Sequence, residues 1–244
     1  MNISRLRKIY MLRLVGRMIV LLLGAYFYLT DPSVFATLEK GGFTGRFSPL
    51  HLLWGIWMLD MLYQVFPAKR DLALGSKKLF KQYFVPSKLK SSAVALKNYV
   101  LTTSRMAGKI LLIWIALILL LGALHKAGWL GNTELFMISV IFYVCDLICV
   151  LFWCPFRLLL KNRCCTTCRI FNWDHLMMFT PMVYVGSFYS ISLLVMSICV
   201  WCVWELTILV HPERFWWGSN VALSCNNCTD KLCTQYCRKL QKKK

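Results

Sequence analysis

The chain has 244 residues, 58% of them hydrophobic, and a formal net charge of +19. Such an apolar composition excludes an ordinary water-soluble domain of this length, and it predicts a single all-α membrane domain over residues 1–244, embedded in the lipid bilayer. The basic residues lie mainly in loops and near the two ends, where topology and anionic lipid account for them, so we do not expect a nucleic-acid partner.

Five apolar segments come close to the roughly 20 residues that a helix needs to cross a bilayer. They cover residues 14–35, 50–66, 110–124, 135–153 and 176–210. The first segment follows several basic residues, as the core of a signal peptide would. However, Arg17 lies inside it, and Asp31 and Pro32 mark a turn rather than a cleavage site, so we expect a retained membrane anchor. The chain is therefore predicted to be a polytopic helical membrane protein.

The fifth segment, residues 176–210, is long for one crossing and short for two crossings with a turn between them. It contains Pro181 and Gly186, which are residues that interrupt helices. We therefore favour a re-entrant or hairpin segment, which returns the C-terminal tail to the side of the membrane from which it started. A single tilted helix is the alternative, and it would place the tail on the other side.

Lys and Arg are retained on the cytoplasmic side of membrane proteins. The N-terminal residues are basic, and so are residues 67–109, which we predict to be a cytoplasmic loop. The links between the first and second segments and between the third and fourth segments carry few basic residues and should face outward. This pattern predicts a multi-pass plasma-membrane protein with a cytoplasmic N-terminus.

Eight of the twelve cysteines fall in two dense groups beside apolar segments. The first tetrad is Cys154, Cys164, Cys165 and Cys168, and the second tetrad is Cys225, Cys228, Cys233 and Cys237. They belong to two cysteine-rich juxtamembrane segments, residues 154–175 and 212–244. Because neighbouring thiolates repel one another, a shared cation commonly explains such grouping, and each tetrad contains a C-x-x-C pair suited to zinc or an iron–sulphur cluster. Disulfide bonds and packing without chemistry are the alternatives, and an exported tail would favour disulfides.

Residues 149–156, with the sequence C-V-L-F-W-C-P-F, add a resemblance to a known family. The signature covers eight residues of the chain. It resembles the C-x-x-x-C-P-F signature that follows a transmembrane helix in membrane-bound polyferredoxins, with one more residue between the two cysteines. Members of that family pass electrons between quinol and iron–sulphur centres. The resemblance implies an iron–sulphur cluster, membrane-associated electron transfer, and a quinone or a redox protein as the partner.

Two other functions fit the cysteines of this sequence. The sequence leaves open whether the chain is an enzyme. In the first, the cysteines hold structural zinc in a transporter or an assembly scaffold. In the second, Cys199 and Cys202 form a C-x-x-C pair within the last apolar segment. This pair resembles that of membrane thiol–disulfide oxidoreductases of the vitamin K epoxide reductase type, although packing alone also accounts for it.

Three acidic residues, Asp60, Asp146 and Glu205, lie within apolar segments. An ionisable group is costly in lipid, so each of them either belongs to a proton or ion path or is neutralised by a partner on a neighbouring helix. Their positions in the sequence do not distinguish these two interpretations.

Overall fold

The computed structural model describes most of the chain apart from short stretches and the C-terminal tail. The described residues are 4–39, 41–45, 47–66, 74–87, 92–160, 162, 164–224, 227, 228, 230 and 232. Within these ranges the protein is helical and no β-strand forms, so the prediction of an all-α fold is confirmed. Four helices are long and apolar enough to cross a membrane, which fits the predicted multi-pass membrane protein.

Eight α-helices follow one another along the described part of the chain: α1 (Arg5–Thr30), α2 (Pro49–Val65), α3 (Leu74–Lys77), α4 (Ala93–Lys126), α5 (Asn132–Leu151), α6 (Phe156–Leu160), α7 (Asp174–Phe179) and α8 (Phe188–Val210). Short 3₁₀ helices lie at Pro32–Leu38, Gly42–Thr44, Lys81–Tyr83, Cys165–Thr167, Thr180–Tyr184, Pro212–Arg214 and Val221–Leu223. The four helices of membrane-spanning length are α1, α4, α5 and α8. The predicted segment 50–66 corresponds to α2, whose 17 residues are at the lower limit of the length for a crossing.

Serine residues set the beginnings of α2 and α8. The N–H of Ser48 donates a hydrogen bond to Nδ1 of His51 (3.0 Å) at the start of α2. At the start of α8, the N–H of Ser187 donates to Oγ of Ser190 (3.1 Å), and the N–H of Ser190 donates to Oγ of Ser187 (3.4 Å). These side chains supply partners to N–H groups that have none within the helix, which fixes where each helix begins.

α1 and α5 run antiparallel and define the two faces of the bundle. Near the start of α1, Oγ of Ser4 donates to the carbonyl oxygen of Asp230. Near its other end, Oη of Tyr28 donates to Oε1 of Glu134 at the start of α5 (2.7 Å). We call the side with Ser4 and Asp230 the N-terminal face, and the side with Tyr28 and Glu134 the opposite face. The C-terminal segment, as far as it is described, lies beside the start of the chain.

The apolar run 176–210 is divided into parts that run in opposite directions. α7 and the 3₁₀ helix that follows it lead to the opposite face, where the ring of Tyr184 lies 6.3 Å from that of His125 at the end of α4. The chain reverses at Gly186, whose φ of 65° is a left-handed conformation that glycine adopts without steric cost. α8 then leads back to the N-terminal face, where Nε1 of Trp204 donates to the carbonyl oxygen of Arg169 (2.9 Å).

α7 and the 3₁₀ helix after it form the centre of the bundle. Phe179 and Met182 of this segment are fully buried. Trp57 of α2 packs edge-on against Phe179 with ring centroids 5.2 Å apart, and Phe136 of α5 lies 6.0 Å from Trp57. Because α2, α4, α5 and α8 all contact this segment, it supplies the core on which the long helices pack.

The three acidic residues of the apolar segments lie next to arginines. Nη1 of Arg17 donates to Oδ2 of Asp146 (2.7 Å), and Nη2 of the same arginine lies 4.0 Å from Oδ2 of Asp60. Nη1 of Arg169 donates to Oε1 of Glu205 (2.7 Å). Arg169 therefore neutralises Glu205, whereas Arg17 supplies a single positive charge to the two carboxylates of Asp60 and Asp146.

Two predicted boundaries differ from the observed helix ends. The helix of segment 14–35 ends at Thr30, because Asp31 starts a 3₁₀ helix and accepts a hydrogen bond from the N–H of Ser33 (3.2 Å). In the predicted loop 67–109, residues 93–109 form the first part of α4, since long side chains with high helix propensity continue the apolar helix there. Residues 67–73 and 88–91 of that loop lie outside the described residues.

Replacing Gly122 of α4 by alanine should destabilise the bundle. A Cβ atom at this position would lie 2.3 Å from Cζ of Tyr184, so the ring and its 3₁₀ helix would have to move. We expect the free energy of unfolding to fall by about 1–3 kcal/mol, the usual cost of overpacking. Thermal or SDS-induced unfolding of the purified protein measures this change.

Gly108→Ala, on the same helix, is the matched control. Among the described residues, no heavy atom outside its own helix neighbourhood lies within 4 Å of a Cβ at this position. Alanine also favours a helix over glycine, so this variant should be as stable as the wild type or slightly more stable. Equal stability of the two variants would contradict the close packing of Tyr184 on α4.

Candidate thiol-lined site

The first tetrad lies at the N-terminal face in the connection between α5 and α7. Cys154 follows the end of α5 and precedes α6. Cys164 and Cys168 flank the 3₁₀ helix that begins at Cys165, and the N–H of Cys168 donates to the carbonyl oxygen of Cys165 (3.0 Å). The N–H of Cys164 donates to Oδ1 of Asn162 (3.2 Å). This tight turn holds three of the four thiols close along the chain.

A cavity of about 280 Å³ opens beside this turn, and we call it the apolar cavity. Five cysteines line it, namely Cys145 and Cys149 of α5 with Cys154, Cys165 and Cys168 of the first tetrad. Most of the remaining wall consists of aromatic, aliphatic and methionine side chains, among them Trp114, Phe142 and Met178. Two carboxyl groups, of Asp146 and Asp174, complete it. Thiols and a mainly apolar wall therefore meet in one cavity, which suits a small apolar ligand.

A smaller cavity of about 10 Å³ lies where the two tetrads approach each other. Cys164 and Cys165 line it from the first tetrad, and Cys228 lines it from the second. Gly75 lets α3 come close to this point, since a Cβ there would lie 2.8 Å from the ring of Phe171. Cys165 lines both cavities and so connects the side where Cys164 and Cys228 lie with the side where Cys154 and Cys168 lie.

The described cysteines form part of the predicted ligand set but not a complete metal site. Within the described ranges, no three His, Cys, Asp or Glu side chains are close enough together to bind an ion. Cys225, Cys233 and Cys237 of the second tetrad lie outside the described residues. The donor chemistry suits zinc or an iron–sulphur cluster, and the thiols that the structure brings together from the two tetrads are those of Cys164, Cys165 and Cys228.

A buried lysine lies next to the first tetrad. Nζ of Lys78 donates to the carbonyl oxygen of Cys168 (3.0 Å) and lies 5.1 Å from the ring centroid of Trp204. Burial lowers the pKa of Lys78 to about 8, while Cys168 and Cys164 act in the opposite direction. Burial raises the pKa of Cys168 to about 11. The sequence placed Lys78 among the basic residues of a loop, and only the fold reveals a cation beside the thiols.

Cys154 has a partner outside its own tetrad. The neighbouring thiol of Cys149 is the largest cause that lowers the pKa of Cys154 to about 7, and the backbone N–H groups of Phe156 and Arg157 act in the same direction. The N–H of Arg157 donates to the carbonyl oxygen of Cys154 (3.2 Å). By contrast, Cys199 of the C-x-x-C pair in α8 is exposed. The two cysteines of the signature in residues 149–156 therefore influence each other, whereas the pair in α8 includes an exposed thiol.

An ion pair fixes the first-tetrad segment to α8. Glu205 accepts hydrogen bonds from Nη1 of Arg169 (2.7 Å) and from Nε1 of Trp173 (2.8 Å). The side chain of Arg169 is only 9% exposed, so its charge depends on this carboxylate rather than on water. Trp204, next to Glu205 on α8, donates to the backbone of Arg169. Both contacts hold the segment after Cys168 in one position.

No protein-family model, no curated protein and no solved structure matches this chain. Its function therefore has to be argued from the residues and contacts described above.

Glu205→Gln should loosen the attachment of this segment. The amide still accepts a hydrogen bond from Trp173, but it removes the negative charge that neutralises Arg169. We expect a loss of about 1–3 kcal/mol in the free energy of unfolding, measured by thermal or SDS-induced unfolding. Glu213→Gln is the matched control, because its carboxylate, 3.2 Å from His211, is 37% exposed and such pairs contribute little. Similar losses in both variants would argue against a structural role of the Arg169–Glu205 pair.

Proposed function

We propose that this chain is a plasma-membrane electron-transfer protein with a cysteine-ligated metal or iron–sulphur centre at its cytoplasmic face. The observation that carries this proposal is the position of Cys165. It lines one cavity with Cys154 and Cys168, and it lines a second cavity with Cys164 and Cys228. Cysteines from two distant parts of the sequence therefore line one small cavity, which supports a shared centre.

The proposed topology has four crossings followed by a hairpin. α1, α2, α4 and α5 supply the crossings, α7 with its 3₁₀ helix forms the outward arm of the hairpin, and α8 forms the returning arm. The N-terminus and both cysteine-rich segments are then on the same side. The excess of Lys and Arg on this side favours the cytoplasm, where the reducing environment keeps thiols available for a metal.

Eight thiolates form the proposed ligand set, with Cys164, Cys165, Cys168 and Cys228 at its centre and Cys154, Cys225, Cys233 and Cys237 as the remaining candidates. An iron–sulphur cluster bound there would supply one-electron transfer, whereas zinc would hold the segments together without redox chemistry. The chain itself supports such a centre in two ways. The apolar side chains around the cysteines exclude water. The amine of Lys78, which donates to the backbone of Cys168, offsets negative charge on the thiolates.

The apolar cavity supports a quinone as the electron partner. Its volume of about 280 Å³ and its aromatic lining suit a small ring system, and the thiol groups of Cys165 and Cys168 stand in its wall. A redox protein is the other candidate partner, and it would dock at the N-terminal face instead.

Elemental analysis of anaerobically purified protein, together with a visible absorption spectrum, tests the proposed centre. Iron with acid-labile sulfide and visible absorbance is the expected result. Cys165→Ser and Cys228→Ser should each lose most of the bound metal and lower the thermal stability, because each removes a ligand that joins the two tetrads. Cys199→Ser is the matched control and should retain both the bound metal and the thermal stability, since this cysteine is exposed on α8.

Three outcomes distinguish the candidate functions of the centre. A colourless protein that contains only zinc would replace electron transfer by a structural site in a transporter or scaffold. Full metal content in Cys165→Ser would contradict the role assigned to Cys165. A protein purified without metal would remove the centre altogether.

The position of Cys149 and Cys154 in the wall of the apolar cavity favours membrane thiol–disulfide exchange as a second candidate function. Transfer of two electrons and two protons from the two thiols to a quinone in this cavity would join their sulfurs as a disulfide and form the quinol. Differential alkylation followed by mass spectrometry measures the pair. A disulfide between these two residues that forms on oxidation and disappears on reduction would support the exchange function, whereas two thiols that never pair would exclude it. Cys199 and Cys202 serve as the comparison pair in the same digest.

A further inference from the structure

A second, polar cavity of about 40 Å³ lies beside the apolar cavity. Polar side chains from four helices and from the short segment around Ser76 line it, among them Arg13, Arg17, Asp60, Gln64, Asp146 and Asp174. One water molecule needs about 10–15 Å³, so this space is large enough for two or three. Tyr10 and Ser76 bring its wall toward the N-terminal face. We call this space the polar cavity.

Two carboxyl groups form the shared wall of the two cavities, because Asp146 and Asp174 line both. They differ in their partners. Asp146 is held by Arg17 at 2.7 Å. Oδ2 of Asp174 accepts a hydrogen bond from Nε2 of Gln64 (3.1 Å), whereas its buried Oδ1 has no hydrogen bond within the described part of the chain. Of the two, Asp174 is the carboxyl group that can bind and release a proton without breaking an ion pair with an arginine.

His175 lies between Asp174 and a third carboxylate. Its Nδ1 is 3.3 Å from Oδ1 of Asp174, and its Nε2 is 3.4 Å from Oδ2 of Asp60. The imidazole side chain is 2% exposed, whereas that of Asp60 is 29% exposed. An imidazole can accept a proton on one nitrogen and release the proton from the other. This arrangement therefore joins Asp60, which lines the polar cavity, to Asp174, which also borders the apolar cavity.

The charges around His175 balance only when the cluster holds one proton. Three carboxylates face it, those of Asp60, Asp146 and Asp174, together with two arginines, Arg13 and Arg17. Protonated imidazole supplies the third positive charge and makes the sum zero. Because an unbalanced charge is costly in an apolar bundle, a proton that leaves on one side is favourably replaced from the other.

We propose that Asp60, His175 and Asp174 form a proton relay between water at the N-terminal face and the apolar cavity. Reduction of a quinone in that cavity to a quinol takes up two electrons and two protons. The centre would supply the electrons, and the relay supplies each proton from the O–H of Asp174, which is restored through His175 and Asp60. The supply of protons to a quinone rests on the proposed function, whereas the relay itself is a property of these three side chains.

NMR of the full chain, labelled with ¹⁵N-histidine in lipid nanodiscs, tests whether protons pass from water through Asp60 to His175. The signals of His175 are identified by their loss in His175→Gln. Its ring N–H should exchange with solvent within seconds in spite of its burial, and Asp60→Asn should slow this exchange by about tenfold or more. Glu39→Gln is the matched control, because it removes an exposed carboxylate of the opposite face, which accepts a hydrogen bond from Asn132 and does not face His175.

Two further measurements guard against a change in folding. Asp60→Glu should restore the exchange, and the exposed His211 in the same spectra gives the unhindered exchange rate. A ring N–H of His175 that stays protected for hours in the wild type, or an exchange rate that Asp60→Asn leaves unchanged, would overturn the relay.

Dicyclohexylcarbodiimide, an apolar reagent, tests whether Asp174 presents a protonated carboxyl group to the apolar cavity. The O–H of a protonated carboxyl group adds across a C=N bond of the reagent, and the resulting acylurea keeps all atoms of both and increases the mass of the peptide. We expect mass spectrometry to find this adduct on Asp174 and not on Glu205, and Asp174→Asn should abolish it. Absence of the adduct from Asp174 would overturn the relay.

The relay and the proposed centre fail separately. A protein that contains no metal but shows both the exchange of the His175 ring N–H and the adduct on Asp174 retains the relay and loses the centre. A protein with a metal or iron–sulphur centre that shows neither this exchange nor this adduct retains the centre and loses the relay.

Discussion

Arg17 of α1 and Asp146 of α5 approach each other to 2.7 Å inside a bundle of apolar helices. Neither charge is tolerable alone in lipid, because hydrocarbon cannot replace the water that a charge loses. The guanidinium also donates to the carbonyl oxygen of Tyr143 (2.6 Å) and lies 4.0 Å from the centroid of its ring. These contacts fix the register of α1 against α5. The end of α5, the first tetrad that follows it and the wall between the two cavities are all positioned by that register.

The N-terminal face is held by polar contacts between segments that are distant in the sequence. Lys78 donates to the backbone at Cys168, and Oγ of Ser76 donates to Oδ1 of Asn172 (2.8 Å). The carboxylate of Glu205 holds the next turn through Arg169. Each contact ends on the cysteine-rich segment or directly beside it. Thiol groups are therefore presented from a backbone that several elements hold, which is the preorganisation that a ligand or redox site requires.

Length and apolar composition were enough to predict the helical membrane class, and Asp31 with Pro32 marked the end of α1 within a few residues. The beginning of α4 was not predicted, because basic residues such as Lys97 and Arg105 suggested a loop, although they are also good helix formers. Cys154, Cys164, Cys165 and Cys168 were recognised by their spacing. The proximity of Cys164 and Cys165 to Cys228, and of Cys168 to Lys78, depends on tertiary packing, and a local pattern of residues carries no information about which distant side chains meet. The same holds for Arg169 and Glu205, which attract each other only once α8 has returned to the N-terminal face.

The central position of α7 and its 3₁₀ helix has a consequence for how the protein is assembled in the membrane. The ring of Trp57 packs against Phe179, which is encoded after α1, α2, α4 and α5, and the ring of Phe136 packs against Trp57. Those earlier helices leave the ribosome first and have to remain separable until this short stretch arrives between them. A nascent chain that stops before α7 already contains the contact of α1 with α5 but lacks Phe179 and Met182, which fill the centre of the bundle.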